Sequence, residues 1–180
     1  MTQMTAAELT ARIAALAGHA INSVAYHQIE GEDPAIHDIH PDIGDFCDFG
    51  VSLTLENHTV AYIAWDGTFA QYGLMLTLTP LNVFESEGQC YNRTEFEPWS
   101  RLVGRRIVDT KILWSEFDHA VYPQAFLFRF DSGRSLLFSA AQPMNRPDGS
   151  IELFPISDWV AILHTSVMIE NHLNRLILDG

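Results

Sequence analysis

Phe126-Leu-Phe-Arg-Phe130, Asp131-Ser-Gly133 and Leu136-Leu-Phe138-Ser-Ala140 are the residues that decide the fold class of this chain. In the first run, Phe126, Phe128 and Phe130 recur every second residue, which is the spacing that places side chains on one face of an extended strand. Aromatic rings also pack well on a pleated surface. Asp-Ser-Gly then supplies a turn, because Gly tolerates a left-handed backbone and Asp and Ser bond back to it. The second run returns with Leu136, Phe138 and Ala140 on one parity, so the stretch reads as an antiparallel hairpin.

Further signals of the same kind lie on the N-terminal side. Arg105 to Phe117 has Val108, Ile112 and Trp114 on one parity and Ile107 and Leu113 on the other, a strand expected to be buried on both faces. Pro98 to Gly104 reads as one helical turn ended by glycine, and residues 81 to 98 as a long polar connection. Val51, Leu53 and Leu55 alternate, Asn57-His58 turns the chain, and Ala61, Ile63 and Trp65 alternate again, giving a second hairpin. Leu74, Leu76 and Leu78 form another strand, which Pro80 ends by removing a ladder donor. Ala20 to Ile29, rich in β-branched and aromatic residues, also reads as a strand.

Helices are predicted at both ends. Thr5-Ala-Ala-Glu8 fits a capping box, Leu9, Ile13 and Leu16 share one helical face, and Gly18 is a natural stop. From Ser166, Ile169, Leu173, Leu176 and Ile177 fall at helical spacing. Between these regions, 142 to 149 reads as loop, and Ile151 to Phe154 and Trp159 to Leu163 as two short strands. With no repeat or linker, the expectation is one domain over residues 1–180. Its class is α+β, with a curved or barrel-like, mainly antiparallel sheet and a helix at each end.

Composition narrows the function classes. The chain carries ten Lys and Arg against twenty-three Asp and Glu, a formal charge of −13. That argues against nucleic acid and against anionic membrane surfaces, since both require clustered cations. No apolar run approaches the ~18 residues of a membrane span, and the first residues lack the pattern of a secretory signal, so the chain reads as cytoplasmic. Two cysteines without a Cys-x-x-Cys spacing suit a reducing compartment. Residues 1–97 hold fourteen acids and two bases, whereas the rest hold nine and eight. Much of the excess lies in Glu30 to Asp48, which has seven carboxylates and no Lys or Arg. The bases gather at Arg101, Arg105, Arg106 and Lys111, so the asymmetry implies either a partner of opposite charge or an internal pairing of the two surfaces. A solvated acidic face that keeps the protein soluble accounts for it equally well.

Few constellations in this sequence carry chemistry. His37-Asp38-Ile39-His40, with Asp42, Asp45 and Cys47, is dense in metal-ligand types, and His37, His40 and Asp42 are candidate ligands for zinc or a similar divalent metal. Pro34 and Pro41 bracket them, which favours an irregular loop over a helix that would align the two rings. Gly-x-Ser-x-Gly, Ser-x-x-Lys, His-Glu-x-x-His and phosphate-cradling glycine loops are all missing, so the reading leans away from an enzyme. Either cysteine could meet one of the eight histidines in space as a nucleophile, but packing explains both cysteines more simply. Trp65, Phe69, Tyr72 and Trp114 are candidates to line a small-molecule pocket inside a curved sheet, though core packing would use them too, and buried indole N–H groups need partners in either case.

The order of Gly50-Val-Ser-Leu, Trp65-Asp66, Gln71-Tyr72-Gly73-Leu74, Trp99-Ser-Arg-Leu-Val-Gly-Arg-Arg-Ile107, Tyr122-Pro-Gln and Phe130-Asp-Ser-Gly-Arg-Ser-Leu resembles small β-rich bacterial proteins of uncharacterised function. Some acidic proteins of that look are immunity proteins of toxin–immunity pairs. The resemblance spans about residues 18–163 and implies no catalytic residue. Together these readings lead to an expectation of a non-enzymatic, acidic binding protein, of the immunity type, that masks a basic protein partner. The candidate contacts are Glu30, Glu32, Asp33, Asp38, Asp42, Asp45 and Asp48, with Phe46 and Phe49 as apolar anchors. The alternatives are a metal-binding protein or metal-dependent enzyme built on the 30–48 loop, and a small-molecule binder with an aromatic-lined interior. A homodimer through an uncovered sheet edge is a further candidate assembly.

Overall fold

The capping box forms as the sequence predicts. Glu8 N–H donates to Thr5 Oγ1 at 3.2 Å and Thr5 N–H donates to Glu8 Oε2 at 2.7 Å, which starts helix α1 at Ala6–Ala14. The computed structural model describes residues 4–29, 44–66, 73–79 and 88–178. After α1 come β1 (Ile21–Ile29), β2 (Asp45–Cys47), β3 (Gly50–Leu55), β4 (Val60–Asp66), β5 (Gly73–Thr77) and β6 (Gly88–Asn92). A short 3-10 helix at Trp99–Arg101 leads to β7 (Ile107–Phe117), β8 (Ala120–Phe130), β9 (Ser135–Asn145) and β10 (Ile151–Leu163), and the chain ends in α2 (Ser166–Leu178).

These strands form two five-stranded sheets, ordered β5-β4-β3-β1-β6 and β2-β10-β9-β8-β7, in which every pairing is antiparallel. Strand alternation assigns the faces. Val24, Tyr26, Val51, Leu53, Ile63 and Leu74 of the first sheet join Phe126, Phe128, Leu136, Phe138, Val160 and Ile162 of the second in one buried cluster. The opposite parity of the second sheet, including Leu127, Leu137, Ala161 and Leu163, meets Met168, Ile169 and Leu173 of α2 in another cluster. The molecule is therefore layered sheet, sheet, helix. Leu127 alternates with Phe126 and Phe128 in sequence because this sheet is buried on both faces.

The mainly antiparallel architecture and the two terminal helices agree with the sequence reading, but the barrel does not. The chain passes between sheets at Asp48-Phe49, and an isolated bridge joins Ala20 to Arg106, yet among the described residues no ladder closes the two sheets into one. Helix α1 packs against both β5 and β7, one edge of each sheet. Arg12 Nη1 donates to Leu76 O at 3.4 Å and Thr110 Oγ1 donates to Ile13 O at 3.4 Å, so helical groups meet these edges in place of a neighbouring strand.

Five elements also differ from their sequence reading: β7, expected to be buried on both faces, is fully buried only at Ile107 because it is a sheet edge, and β9 runs on through 142–145, where the sequence reads as loop. β2 lies inside the acidic segment, and β6 inside the stretch read as polar connection. β10 is one thirteen-residue strand whose register against β9 shifts between Pro155 and Val160, where two short strands are expected. The intervening residues bulge without breaking the pairing on either side.

Candidate functional site

The acidic segment is rooted in the core by its own C-terminal residues. β2 pairs with β10, setting Phe46 opposite Ala161 and Cys47 opposite Val160. Asp45 is 2% exposed and Phe46 1% exposed. Tyr26 is fully buried, and its hydroxyl donates to Asp45 Oδ2 at 2.6 Å and accepts from Trp99 Nε1 at 2.6 Å. Arg93 Nη2 stands 3.7 Å from the same Asp45 oxygen, and its guanidinium lies over the rings of Tyr26 and Phe96 at 5.3 and 4.7 Å. A buried carboxylate is thus held by a hydroxyl and a guanidinium, the arrangement that makes burial of a charge tolerable.

The surroundings tune the titratable groups of this cluster. Burial raises the Tyr26 phenol well above its ordinary value, and the Asp45 charge adds to the effect. The Cys47 thiol is raised by burial and then by Asp48 and Asp45, and Sγ donates to Val160 O at 3.6 Å. An un-ionised, fully buried thiol is a packing group and not a nucleophile. His164 is lowered by burial, against the opposing pull of Asp45 and Glu97.

Two further polar groupings sit elsewhere. On the outer face of the first sheet, His27 Nε2 lies 2.9 Å from Ser52 Oγ, and burial lowers its pKa to about 4. Cys90 is opposite His27 in the β1–β6 ladder, but burial raises the thiol and lowers the imidazole, which disfavours the thiolate–imidazolium pair of a cysteine nucleophile. Between the second sheet and α2, Gln124 Nε2 donates to Ser139 Oγ at 3.1 Å, and Ser139 Oγ lies 2.8 Å from His172 Nε2. The Ser–His distance suits a catalytic pair, but Ser139 is 0% exposed and His172 3%, so no substrate carbonyl reaches the hydroxyl.

The residues singled out from sequence are thereby sorted. Glu30, Glu32, Asp33, Asp38 and Asp42, with His37 and His40, lie outside the described residues, as do Phe69 and Tyr72. Asp45 and Phe46 are buried, and Asp48 nearly so, which removes them from a surface that a partner could touch. Phe49 is half-buried, with its ring set edge-on to Trp65 at 6.3 Å. Among the described residues no group of three His, Cys, Asp or Glu side chains could hold a metal ion. Trp65 and Trp114 pack against the cluster that fills the space between the sheets, and Trp65 Nε1 donates to Asp48 O at 2.8 Å.

The basic group in the second half is partly neutralised within the chain. Arg106 pairs with Glu56 at 2.5 Å, Arg101 with Glu97 at 2.6 Å, and Arg129 with Asp109 at 3.0 Å. The Tyr26–Asp45–Trp99–Arg93 network is the grouping that sequence reasoning missed. Its one legible signal is the rule that a buried indole or phenol needs a partner. Comparison with protein-family models, with curated proteins and with solved structures finds no match to this chain.

Proposed function

We propose that this protein is a non-enzymatic binding protein that recognises a basic surface on a protein partner through the acidic stretches of sequence that follow β1 and precede β6. One observation carries the reading. Ile29, which precedes Glu30, pairs with Gly88, which follows Glu87. β1 therefore ends beside the start of β6, and the sequence that follows Ile29 (30–43) and that precedes Gly88 (80–87) contains Glu30, Glu32, Asp33, Asp38, Asp42, Glu85 and Glu87 with no Lys or Arg. The Asp45 network and the β2–β10 pairing support it further by anchoring the exit of the first segment. Complementary charge of this density accelerates encounter, from about 10⁵–10⁶ to as much as 10⁸–10⁹ M⁻¹s⁻¹ at low salt, and rejects partners of like charge.

An immunity-type role, in which a toxin's basic surface is masked, is the biological form of this proposal that the sequence resemblance favours. The test is binding to the purified product of the neighbouring gene, followed by biosensor kinetics at low and high salt. Because Asp45 and Asp48 are buried, the informative variant neutralises the other seven: Glu30→Gln, Glu32→Gln, Asp33→Asn, Asp38→Asn, Asp42→Asn, Glu85→Gln and Glu87→Gln. Its association rate is expected to fall by about tenfold or more at low salt, with the salt dependence flattened. Absence of binding, or kinetics unchanged by the seven substitutions, rejects the proposal.

A further inference from the structure

The edges of the two sheets are not alike. β2 is three residues long and β6 five, and β6 is flanked in sequence by Glu85, Glu87, Glu95 and Glu97. β5 is also five residues long, and α1 packs against it, with Arg12 Nη1 donating to Leu76 O. β7 runs for eleven residues with no Pro and one Lys, so it lacks the shortness and the blocking residues that keep an edge from pairing. Its start is occupied: Ile107 N–H donates to His19 O, Gly18 N–H to Ile107 O, and Thr110 Oγ1 to Ile13 O.

The second half of β7 is different. The two-residue turn Asp118-His119, with φ of +48° and +64°, closes the β7–β8 hairpin on a hydrogen-bonded Phe117–Ala120 pair. Bonds to β8 then alternate back along β7 through Ser115 and Leu113, so Ile112 and Glu116 turn their N–H and C=O groups away from β8. The far end of the ladder agrees. Phe130 N–H donates to Arg134 O across the β8–β9 turn, so on β8 residues 126, 128 and 130 direct their bonds towards β9, and Phe126 is the residue opposite Ile112. Among the described residues, no backbone bond outside the β7–β8 ladder reaches Ile112 or Glu116.

Charge and symmetry select the occupant. A net charge of −13 sets copies of this chain against one another, but residues 105–134, the β7–β8 hairpin with its flanks, hold five Lys and Arg against four Asp and Glu. A strand edge is also complementary to itself, because a two-fold axis that runs it antiparallel to its copy sets each outward N–H against an outward C=O. We infer that β7 pairs with β7 of a second copy of this chain about a two-fold axis at Trp114, so that Ile112 and Glu116 exchange backbone hydrogen bonds with Glu116 and Ile112 of the other copy. On the Leu113 face this register sets Lys111 opposite the other copy's Phe117, which is 58% exposed and which the apolar lysine stem covers. The two five-stranded second sheets become one continuous sheet. This contact lies apart from the acidic stretches and does not depend on their having a partner.

Sedimentation equilibrium of the full-length protein between about 1 and 500 µM tests the pairing: the mass should rise from 20.3 kDa towards twice that value. Amide exchange over the same concentrations should slow at Ile112 and Glu116 on association, while Leu113 and Ser115, bonded to β8, stay protected throughout. Phe117→Lys should weaken the dimer about tenfold by setting an ammonium group opposite Lys111 of the other copy, and adding Lys111→Glu should restore it. Both side chains are exposed, so the changes read the contact with little consequence for folding. A protein that stays monomeric at every concentration, a dimer whose Ile112 and Glu116 amides exchange as fast as in the monomer, or a dimer that Phe117→Lys leaves unchanged overturns the inference.

Discussion

Tyr26→Phe removes a single oxygen from the centre of the molecule, and the structure sets what that should cost. The hydroxyl donates to Asp45 and accepts from Trp99, each at 2.6 Å, and Tyr26 and Trp99 are both 0% exposed. Phenylalanine keeps the ring and its packing, so the loss is confined to these two bonds. Taking a bond from a charged carboxylate costs about 1.5–3 kcal/mol, and depriving a buried indole N–H of its acceptor about 1–3 kcal/mol. Arg93 still neutralises Asp45, which favours the lower part of the first range. The expected sum is about 4 kcal/mol, a large share of the ~5–15 kcal/mol that holds a typical domain together. For a chain of this length it corresponds to a fall in Tm of about 8–16 °C.

Urea unfolding followed by tryptophan fluorescence, with calorimetry alongside, measures the loss. A second readout comes from proton linkage. The folded Tyr26 phenol titrates well above its ordinary value of 10.0, whereas in the unfolded chain it titrates near that value. Above about pH 10 the unfolded state gives up a proton that the folded state retains, so stability falls as pH rises. The variant has no phenol there, and its stability should depend less steeply on pH in this range. A destabilisation below about 1 kcal/mol, with an unchanged alkaline slope, would refute the view that the network is a satisfied, buried unit.

Three other outcomes follow from the same structure. The His27 pKa is lowered to about 4 by burial, so between pH 6.5 and 4 the unfolded chain binds a proton that the fold refuses; stability should decline by up to about 3 kcal/mol across that window, and His27→Gln should flatten the slope in pH-dependent urea titrations. Gly50 lies where an added Cβ would collide with the Ile63 carbonyl oxygen and sit 3.0 Å from Ala64 Cβ, so Gly50→Ala should cost at least about 2 kcal/mol, whereas Gly133→Ala, with open space and a φ of +78°, should cost only about 1 kcal/mol of backbone strain; equal costs by urea denaturation would contradict the packing. In native protein one thiol should react with a disulfide reagent, exposed Cys90, and buried Cys47 only after denaturation; two equally fast thiols would contradict the burial of β2.

Local information sufficed for much of the fold. The period-2 runs at 51–55, 61–65 and 126–140, the turns at Asn57-His58 and Asp131-Ser-Gly133, and the Thr5–Glu8 cap each depend on residues within a few positions of one another. The structure agrees with each of these readings. The candidate sites were less legible. The acidic run was visible as composition, but nothing in Asp45-Phe46-Cys47 distinguishes three residues that pair with a strand more than a hundred positions away from three that continue a loop.

What the sequence by itself determined, then, is alternation, turns, helix ends and the sign and position of the charge, because these are properties of neighbouring residues. What only the tertiary structure decided is which edges meet and what the buried polar atoms bond. A strand's parity reports that one face is apolar, and both a closed barrel and two packed sheets satisfy that requirement. In the folded chain α1 packs against β5 and β7, an edge of each sheet, and that contact is not written in the alternation of any strand. Likewise Tyr26 had to find partners once buried, but those it finds, Asp45 and Trp99, lie 19 and 73 residues along the chain, and only the folded arrangement brings them within 2.6 Å.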